Sequence, residues 1–189
     1  MLNRHLLYGL ALANCVAIGV RFWLWTTPRE YSYVGQDYPL EYPMGELDIV
    51  AMTLQESVRF ELNTNNPLLE SEWGTITNYP KGWGRVHLGP DDRVFNVVFY
   101  HQLHCVRQLQ RAILDRNNTI APREHVGHCL NYLRQTFLCE ANPSLEEGDF
   151  WERDYEVDRL GDTLVCKDWT KAYEELEKNF ERWADKFEG

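Results

Sequence analysis

The hydrophobic positions form one continuous apolar run near the N-terminus and several periodic stripes further along. Leu6–Trp25 is almost entirely apolar and long enough to cross a hydrocarbon core of about 30 Å. Arg21 lies near one end, where a long side chain can reach the headgroups, and Trp23 and Trp25 resemble an interfacial aromatic belt. The run predicts an N-terminal membrane anchor. The shorter stretch Leu6–Val20 also fits a cleaved signal peptide, which is the alternative.

The chain beyond the anchor divides into a spacer and a folded domain. We assign residues 1–25 to the anchor. Residues 26–45 are rich in proline and glycine, which interrupt helices, and they predict a linker or an extended arm. Residues 46–189 have the length of one compact domain.

Apolar positions within this domain recur at steps of three and four, the period of an amphipathic helix. Residues 73–90 are instead rich in Gly, Pro and Trp and predict loops with one or two short strands. The acidic residues 143–162 are predicted to be irregular and solvated. The expected fold class is mainly α with small β and irregular segments, behind a single transmembrane helix. The stripes predict helices over 46–62, about 96–116, 122–139 and 169–187.

Charge excludes one class of partner. The formal net charge is -10, and no basic stripe suited to phosphate binding is found. We therefore expect no nucleic-acid partner. The chain is also poorly suited to anionic membrane surfaces outside its anchor.

One five-residue motif, H-x-x-H-C, occurs twice, at 101–105 and at 125–129. Positions three and four apart share a helix face, so each copy presents two imidazoles and a thiol to one side. The connection 117–121 is short, so we expect the two helices to be antiparallel neighbours whose motifs meet. The candidate metal ligands and catalytic residues are His101, His104, His125 and His128.

Imidazole suits copper, zinc, iron and nickel, and a site using three of the four leaves room for oxygen or substrate. Neither copy matches H-E-x-x-H, and no glutamate stands where a hydrolytic base would be, which disfavours hydrolysis. A lone histidine is usually structural, but two pairs at matching spacing favour metal binding.

Four cysteines follow the anchor, an even number that favours disulfides in an oxidising compartment, with three possible pairings. A bridge between Cys105 and Cys129 would join the two helices, and Cys139 would then pair with Cys166. Thiolate ligation of the metal by Cys105 and Cys129 is the alternative. Reactive-thiol catalysis has weaker support, because no orienting carboxylate is identifiable.

Asn117 begins an N-glycosylation sequon between the two motifs, on a predicted loop. Together with the anchor, it predicts a single-pass protein of the secretory pathway with its domain in the lumen.

The motifs and their surroundings resemble the UstYa-like family of fungal biosynthetic proteins. The resemblance extends from about Trp73 to Trp169 and includes FYHQLHCVRQLQRAI, HCLNYLRQTFLC and CKDW. It implies oxidative tailoring of natural products, such as closing side-chain ether rings on ribosomal peptides, with hydroxylation and halogenation in other members and copper as the metal. The matching motif positions are His101, His104, Cys105, His125, His128 and Cys129, followed by Cys139 and Cys166.

Two positions depart from the family pattern. Asn142 stands where relatives carry a carboxylate after the third cysteine, and Leu164 stands where they often carry a histidine near the last. Both changes remove a potential ligand or proton acceptor. They leave the two H-x-x-H-C motifs unchanged.

The leading hypothesis is a copper-dependent oxidase or oxidative cyclase acting on a small-molecule or peptide natural product. It would be held in the membrane through residues 6–25. A non-redox cyclase that uses the metal as a Lewis acid is one alternative. Another is a non-catalytic subunit that supports an active paralogue, so a homo- or hetero-oligomer is expected.

Overall fold

The computed structural model describes residues 4–27, 29–55, 57–145, 151, 152, 154, 157 and 160–187. It divides the chain into two units, Met1–Tyr38 and Pro39–Gly189. The densest part of the acidic stretch predicted to be irregular and solvated, residues 146–149, lies outside the described residues. The prediction is wrong at the end of the stretch, where residues 160–162 begin a strand and Asp162 is buried.

The first unit contains α1, Arg4–Thr26. It is the one helix among the described residues that is long and apolar enough to cross a membrane, a test that signal sequences also pass. Its side chains are exposed throughout. Beyond it, the Asp37 carboxylate accepts hydrogen bonds from the Ser32 backbone and hydroxyl and from Arg29. These bonds lower the pKa of Asp37, the Ser32 backbone N–H most strongly.

The second unit is mainly helical. The helix predicted over 96–116 is observed as α3 (Val98–Leu114), the one over 122–139 as α4 (Arg123–Glu140), and the one over 169–187 as α5 (Trp169–Ala184). Pro122 lies at the N-cap of α4 with φ -65°, where its missing N–H costs nothing. This unit also contains α2, Leu69–Asn78.

The helix predicted over 46–62 is wrong, because its centre forms a strand. β1, Ile49–Gln55, pairs antiparallel with β4, Leu160–Lys167, and the hydroxyls of Thr53 and Thr163 are 2.8 Å apart across the pair. The backbone partners lie more than a hundred positions away, so the local apolar spacing carries no sign of them. Long-range pairing overrides local periodicity here.

Residues 73–90 combine a helix and a strand. The prediction of loops is wrong for the first part, where α2 continues to Asn78. The predicted short strand is observed as β2, Arg85–Leu88, which forms an antiparallel hairpin with β3, Arg93–Asn96. α2 has no side-chain N-cap, so the usual start signal is missing from the sequence.

Two contacts fix α5 and the hairpin. The Asn179 side chain makes two hydrogen bonds to the backbone of β2. It accepts from the His87 N–H at 2.7 Å and donates to the His87 carbonyl at 3.0 Å. The Trp183 ring stacks on the His87 ring at 4.0 Å. At the start of β2, Gly84 has φ +65°, and a Cβ there would overlap the Tyr100 ring. Glycine therefore allows α3 to approach the hairpin.

Candidate active site

The imidazoles meet where α3 and α4 pack together. The loop between the helices is held by Asn118, whose Oδ1 accepts from the backbone N–H groups of Ile120 and Ala121 at 3.0 and 3.1 Å. This tight turn reverses the chain. His101 contacts His128, whereas His104, which is later on α3, contacts His125, which is earlier on α4. The two helices are therefore antiparallel at the site.

The four rings form two facing pairs. His104 and His125 face each other with Nε2 atoms 3.3 Å apart and ring centroids 5.3 Å apart. His101 and His128 are stacked with centroids 5.5 Å apart. Along the helices, the centroid distance is 6.0 Å between His101 and His104 and 6.4 Å between His125 and His128. The structure thus brings together all four histidines that the sequence singles out.

Burial and the neighbouring imidazoles keep the α3 histidines neutral. Burial, then His128 and His125, lower the pKa of His101. Burial, then His125 and His101, lower the pKa of His104. A neutral imidazole has a nitrogen lone pair, which is the state that binds a metal.

The four imidazoles are of a ligand type that binds transition metals, and the His104–His125 pair also has the spacing of two ligands on one ion. Two nitrogens bound to one ion at about 2.0 Å and at a tetrahedral angle are about 3.3 Å apart, as are the facing Nε2 atoms of His104 and His125. Within the described ranges, no group of three His, Cys, Asp or Glu side chains is arranged to hold a metal ion. The arrangement is therefore a two-imidazole pair with a second pair beside it.

Tyr132, which the sequence reasoning missed, contacts both members of the second pair. Its ring centroid lies 4.1 Å from that of His101 and 6.1 Å from that of His128. Tyr132 follows His128 by one helical turn, so it shares the histidine face. The four-residue spacing from His128 to Tyr132 was the sequence signal that could have identified it.

The motif cysteines lie in the core between the helices. Cys105 and Cys129 are fully buried, and Leu133 completes their cluster. Both thiols are free, and each is a hydrogen-bonding neighbour of the other. Burial raises the pKa of Cys129, and burial together with the Cys129 thiol raises that of Cys105 to about 12. These thiols are therefore protonated at neutral pH.

The other sequence-predicted positions lie outside this cluster. Cys139, exposed near the end of α4, and Cys166 in β4 are also free thiols, so both disulfides remain predictions. Asn117 is exposed in the α3–α4 loop. Asn142 follows α4, roughly 20 Å beyond His128 at the helical rise per residue. Leu164 lies in β4 opposite Met52.

A cavity of about 480 Å³ opens beside the α3 imidazoles and is lined in part by His101 and His104. Arg85, Arg107 and Arg111 also line it. The sequence reasoning missed these arginines. Arg107 and Arg111 follow His104 by three and seven positions, so they share its helix face.

Comparison with known proteins adds an independent line of evidence. The family profile described as "Mycotoxin biosynthesis protein UstYa" matches residues 75–186. UstYa family oxidase phomYe of Diaporthe leptostromiformis is 32% identical over 117 residues, covering 55% of this chain and 41% of the relative. UstYa family oxidase phomYb of the same fungus is 30% identical over 99 residues, covering 42% and 38%.

A relative from another fungus gives a shorter match. UstYa family oxidase aprY of Aspergillus flavus is 34% identical over 74 residues, covering 32% of this chain and 21% of the relative. The aligned segments thus span at most 41% of the length of these relatives. No solved structure matches the chain. The profile match covers more than half of the chain, including both H-x-x-H-C motifs, and the protein belongs to the UstYa family.

Proposed function

We propose that the protein is a copper-dependent oxidase or oxidative cyclase that tailors a fungal secondary metabolite. The observation that carries the proposal is the meeting of two imidazole pairs across the α3–α4 interface, with the His104 and His125 Nε2 atoms 3.3 Å apart. The relatives' designation as oxidases supports the oxidative reaction.

His104 and His125, whose Nε2 atoms have the spacing of two ligands to one ion, would hold the copper. His101 and His128 in the adjacent pair would complete the ligand set through a movement of their side chains on binding. Imidazole is a good ligand for copper in both of its common oxidation states. Bound copper supplies one-electron redox chemistry with oxygen. The chain's own contribution is to keep His101 and His104 neutral through burial and to orient all four imidazoles.

Several side chains contribute to that orientation. Tyr132 packs against His101 at 4.1 Å between ring centroids, which limits rotation of that imidazole. The buried pair Cys105 and Cys129 fixes the helix spacing directly beside the histidines. The adjoining cavity holds the substrate next to His101 and His104. The substrate is a small molecule or a ribosomal peptide.

We also propose that the catalytic domain lies in the lumen of the secretory pathway. The α1 helix would anchor it through residues 6–25 as a single-pass membrane protein. The exposure of Asn117 in its loop supports modification of the sequon by the lumenal glycosylation machinery.

A metabolite comparison tests the oxidative function. The full chain is co-expressed with its biosynthetic gene neighbours in a fungal host, beside a His104→Ala variant and a His87→Gln control. His87 lies in β2, stacked on Trp183, outside the imidazole cluster. The wild type and control should yield a product with two hydrogens fewer, or one oxygen more, than the compound accumulating with His104→Ala. Identical metabolite profiles would refute the proposal.

The oxygen dependence separates oxidation from non-redox cyclisation. An oxidase stops when oxygen is removed from a cell extract that converts the substrate. A cyclase using the metal as a Lewis acid continues, and its product is an isomer of its substrate or differs by loss of water.

A supporting subunit is the second candidate, favoured by exposed apolar residues on α4. Leu130, Phe137 and Leu138 are each more than half exposed, as expected of a surface that a paralogue covers. The departures at Asn142 and Leu164 point the same way. If the chain converts substrate only when a second family member is co-expressed and co-purified, this candidate replaces the first.

A further inference from the structure

The cavity beside the imidazoles is positively charged, although the chain carries a formal net charge of -10. Arg85, Arg107 and Arg111 line it, and the described lining residues include no Asp or Glu. A concentration of positive charge in a concave site attracts anionic ligands.

Arg107 is the most buried of the three arginines, with its side chain 2% exposed. One Nη donates to Gln110 and the other forms an ion pair with Glu70. Its Nε has no hydrogen-bond partner among the described residues. Leaving a buried donor of this kind unpaired costs about 1–3 kcal/mol. The Nε–H of Arg107 can therefore donate one further hydrogen bond to a ligand.

Arg111 places a second cation beside it. Burial and then the Arg107 guanidinium lower the pKa of Arg111, and Glu70 opposes this shift. In the described part of the chain, Arg111 forms no ion pair. Two neighbouring guanidiniums therefore share one carboxylate, that of Glu70, whose side chain is 70% exposed. A second anion bound between them would compensate the remaining charge.

The arginines and the imidazoles lie on one face of α3. His104, Arg107 and Arg111 are three and four positions apart, which is the spacing of a helix face. At the helical rise per residue, Arg107 and Arg111 lie roughly 5 and 10 Å along the axis from His104. A group held by these arginines would lie within reach of the imidazole pair.

The remaining lining of the cavity suits the organic part of such a ligand. Trp83, Tyr100 and Ile120 supply apolar surface, and the Arg85 guanidinium lies 5.9 Å from the Trp83 ring centroid. The volume of about 480 Å³ falls in the range of small-molecule sites.

We propose that the substrate carries a free carboxylate, which Arg107 and Arg111 bind so that its organic part lies beside His101 and His104. A carboxylate fits better than a phosphate because both Nη atoms of Arg107 are already engaged. The unpaired Nε–H of Arg107 and the fork of Arg111 match two planar oxygens with a single charge. The inference rests on the proposed function for the reaction, but carboxylate binding requires neither copper nor turnover.

A matched pair of probes tests the proposal on the full chain in detergent micelles after treatment with EDTA. The probes are 3-phenylpropionate and its uncharged amide, titrated by calorimetry, with empty micelles as the blank for partitioning. The acid should bind at least about tenfold more tightly than the amide, since hydrogen bonds to charged groups are the stronger class. Equal affinities would overturn the proposal.

Variants locate the binding site. Arg111→Gln should weaken binding of the acid about tenfold or more and leave the amide unchanged. Arg134→Gln, on the exposed surface of α4, is the control and should change neither. Arg111 is preferred over Arg107 for substitution because it is less buried, and circular dichroism verifies the fold. A preference for the acid that survives Arg111→Gln would refute the assignment.

Inorganic phosphate, titrated in the same way, distinguishes the two anions. Tighter binding of phosphate than of the acid would overturn the carboxylate assignment. Because the protein is metal-free, a failure here leaves the proposed copper oxidase intact, and a failure to bind copper leaves this result intact.

Discussion

Gly84→Ala should destabilise the protein strongly through the approach of Tyr100 to the β2–β3 hairpin. Gly84 has φ +65°, and an added Cβ would overlap the Tyr100 ring. The left-handed conformation costs an alanine about 1–2 kcal/mol, and forcing extra volume into a packed contact costs about 1–3 kcal/mol. The expected loss of about 2–5 kcal/mol is a large part of a typical domain's stability.

The Tyr100 contact also links this substitution to the site. The Tyr100 hydroxyl donates to the Thr77 carbonyl, so the ring connects α2 to α3 at the wall of the cavity. Displacing the ring should therefore weaken probe binding in the cavity as well as lowering the free energy of unfolding.

Urea titration of the full chain in micelles, followed by tryptophan fluorescence, measures the effect. The control is Gly127→Ala, because Gly127 lies within α4 and a Cβ there meets nothing within 4 Å. The control should be stabilised by about 0.5–1 kcal/mol, the usual gain of alanine over glycine in a helix. A free energy of unfolding for Gly84→Ala within about 0.5 kcal/mol of the wild type would refute the reasoning, since that is the spread of substitutions at ordinary surface positions.

Further predictions concern the thiols, the α5 contact and the sequon. With a pKa of about 12, the Cys105 thiol is about one part in ten thousand thiolate at pH 8. Native alkylation followed by mass spectrometry should therefore label Cys105 far more slowly than exposed Cys139. Equal labelling rates would contradict a buried, protonated Cys105 thiol. Asn179→Ala leaves the two backbone groups of β2 without their partner and should cost about 1–3 kcal/mol in urea titration. Lys178→Ala, at an exposed ion pair, should cost at most about 1 kcal/mol, and equal losses would refute the role of Asn179. Asn117→Gln should abolish the shift in electrophoretic mobility that glycosidase treatment produces in protein from a fungal host, and no shift in the wild type would contradict glycosylation of the sequon.

The helices that carry the candidate site could be predicted closely from the sequence. The stripe beside the first motif gave a helix over about 96–116, and the structure has α3 at Val98–Leu114. Local periodicity sufficed to place the helices, although the predicted stripes are only partly buried: Ile113, Leu130 and Phe137 are more than half exposed. The two helices instead pack around Cys105, Cys129 and Leu133. The short α3–α4 connection was enough to predict that the motifs face each other.

The failures have a different physical origin. β1 depends on pairing with β4, whose residues are more than a hundred positions later, and no local pattern records such a partner. The cavity likewise combines α3 with Trp83 and Arg85, which only tertiary packing brings together. Arg107 looked like an ordinary polar residue of an amphipathic helix, yet its side chain is 2% exposed.

Asn142 and Leu164, the two departures from the family pattern, lie outside α3 and α4, the helices that carry the imidazoles. Asn142 follows α4, where its Oδ1 accepts from the Ser144 N–H at 2.9 Å, and Leu164 pairs across β1 and β4. Their effect would therefore reach the histidines through a docked partner or a rearrangement of these segments. The two H-x-x-H-C motifs themselves are complete.

Copper binding by the four histidines is the central claim, and metal stoichiometry tests it most directly. The full chain in micelles is loaded with copper, dialysed, and measured by elemental mass spectrometry and electron paramagnetic resonance. The account predicts about one copper per chain with nitrogen hyperfine structure, as imidazole ligation requires. His104→Ala and His125→Ala should each lose most of it, and His87→Gln should retain it. Copper content that is absent from the wild type, or unchanged by both alanine substitutions, would contradict the claim.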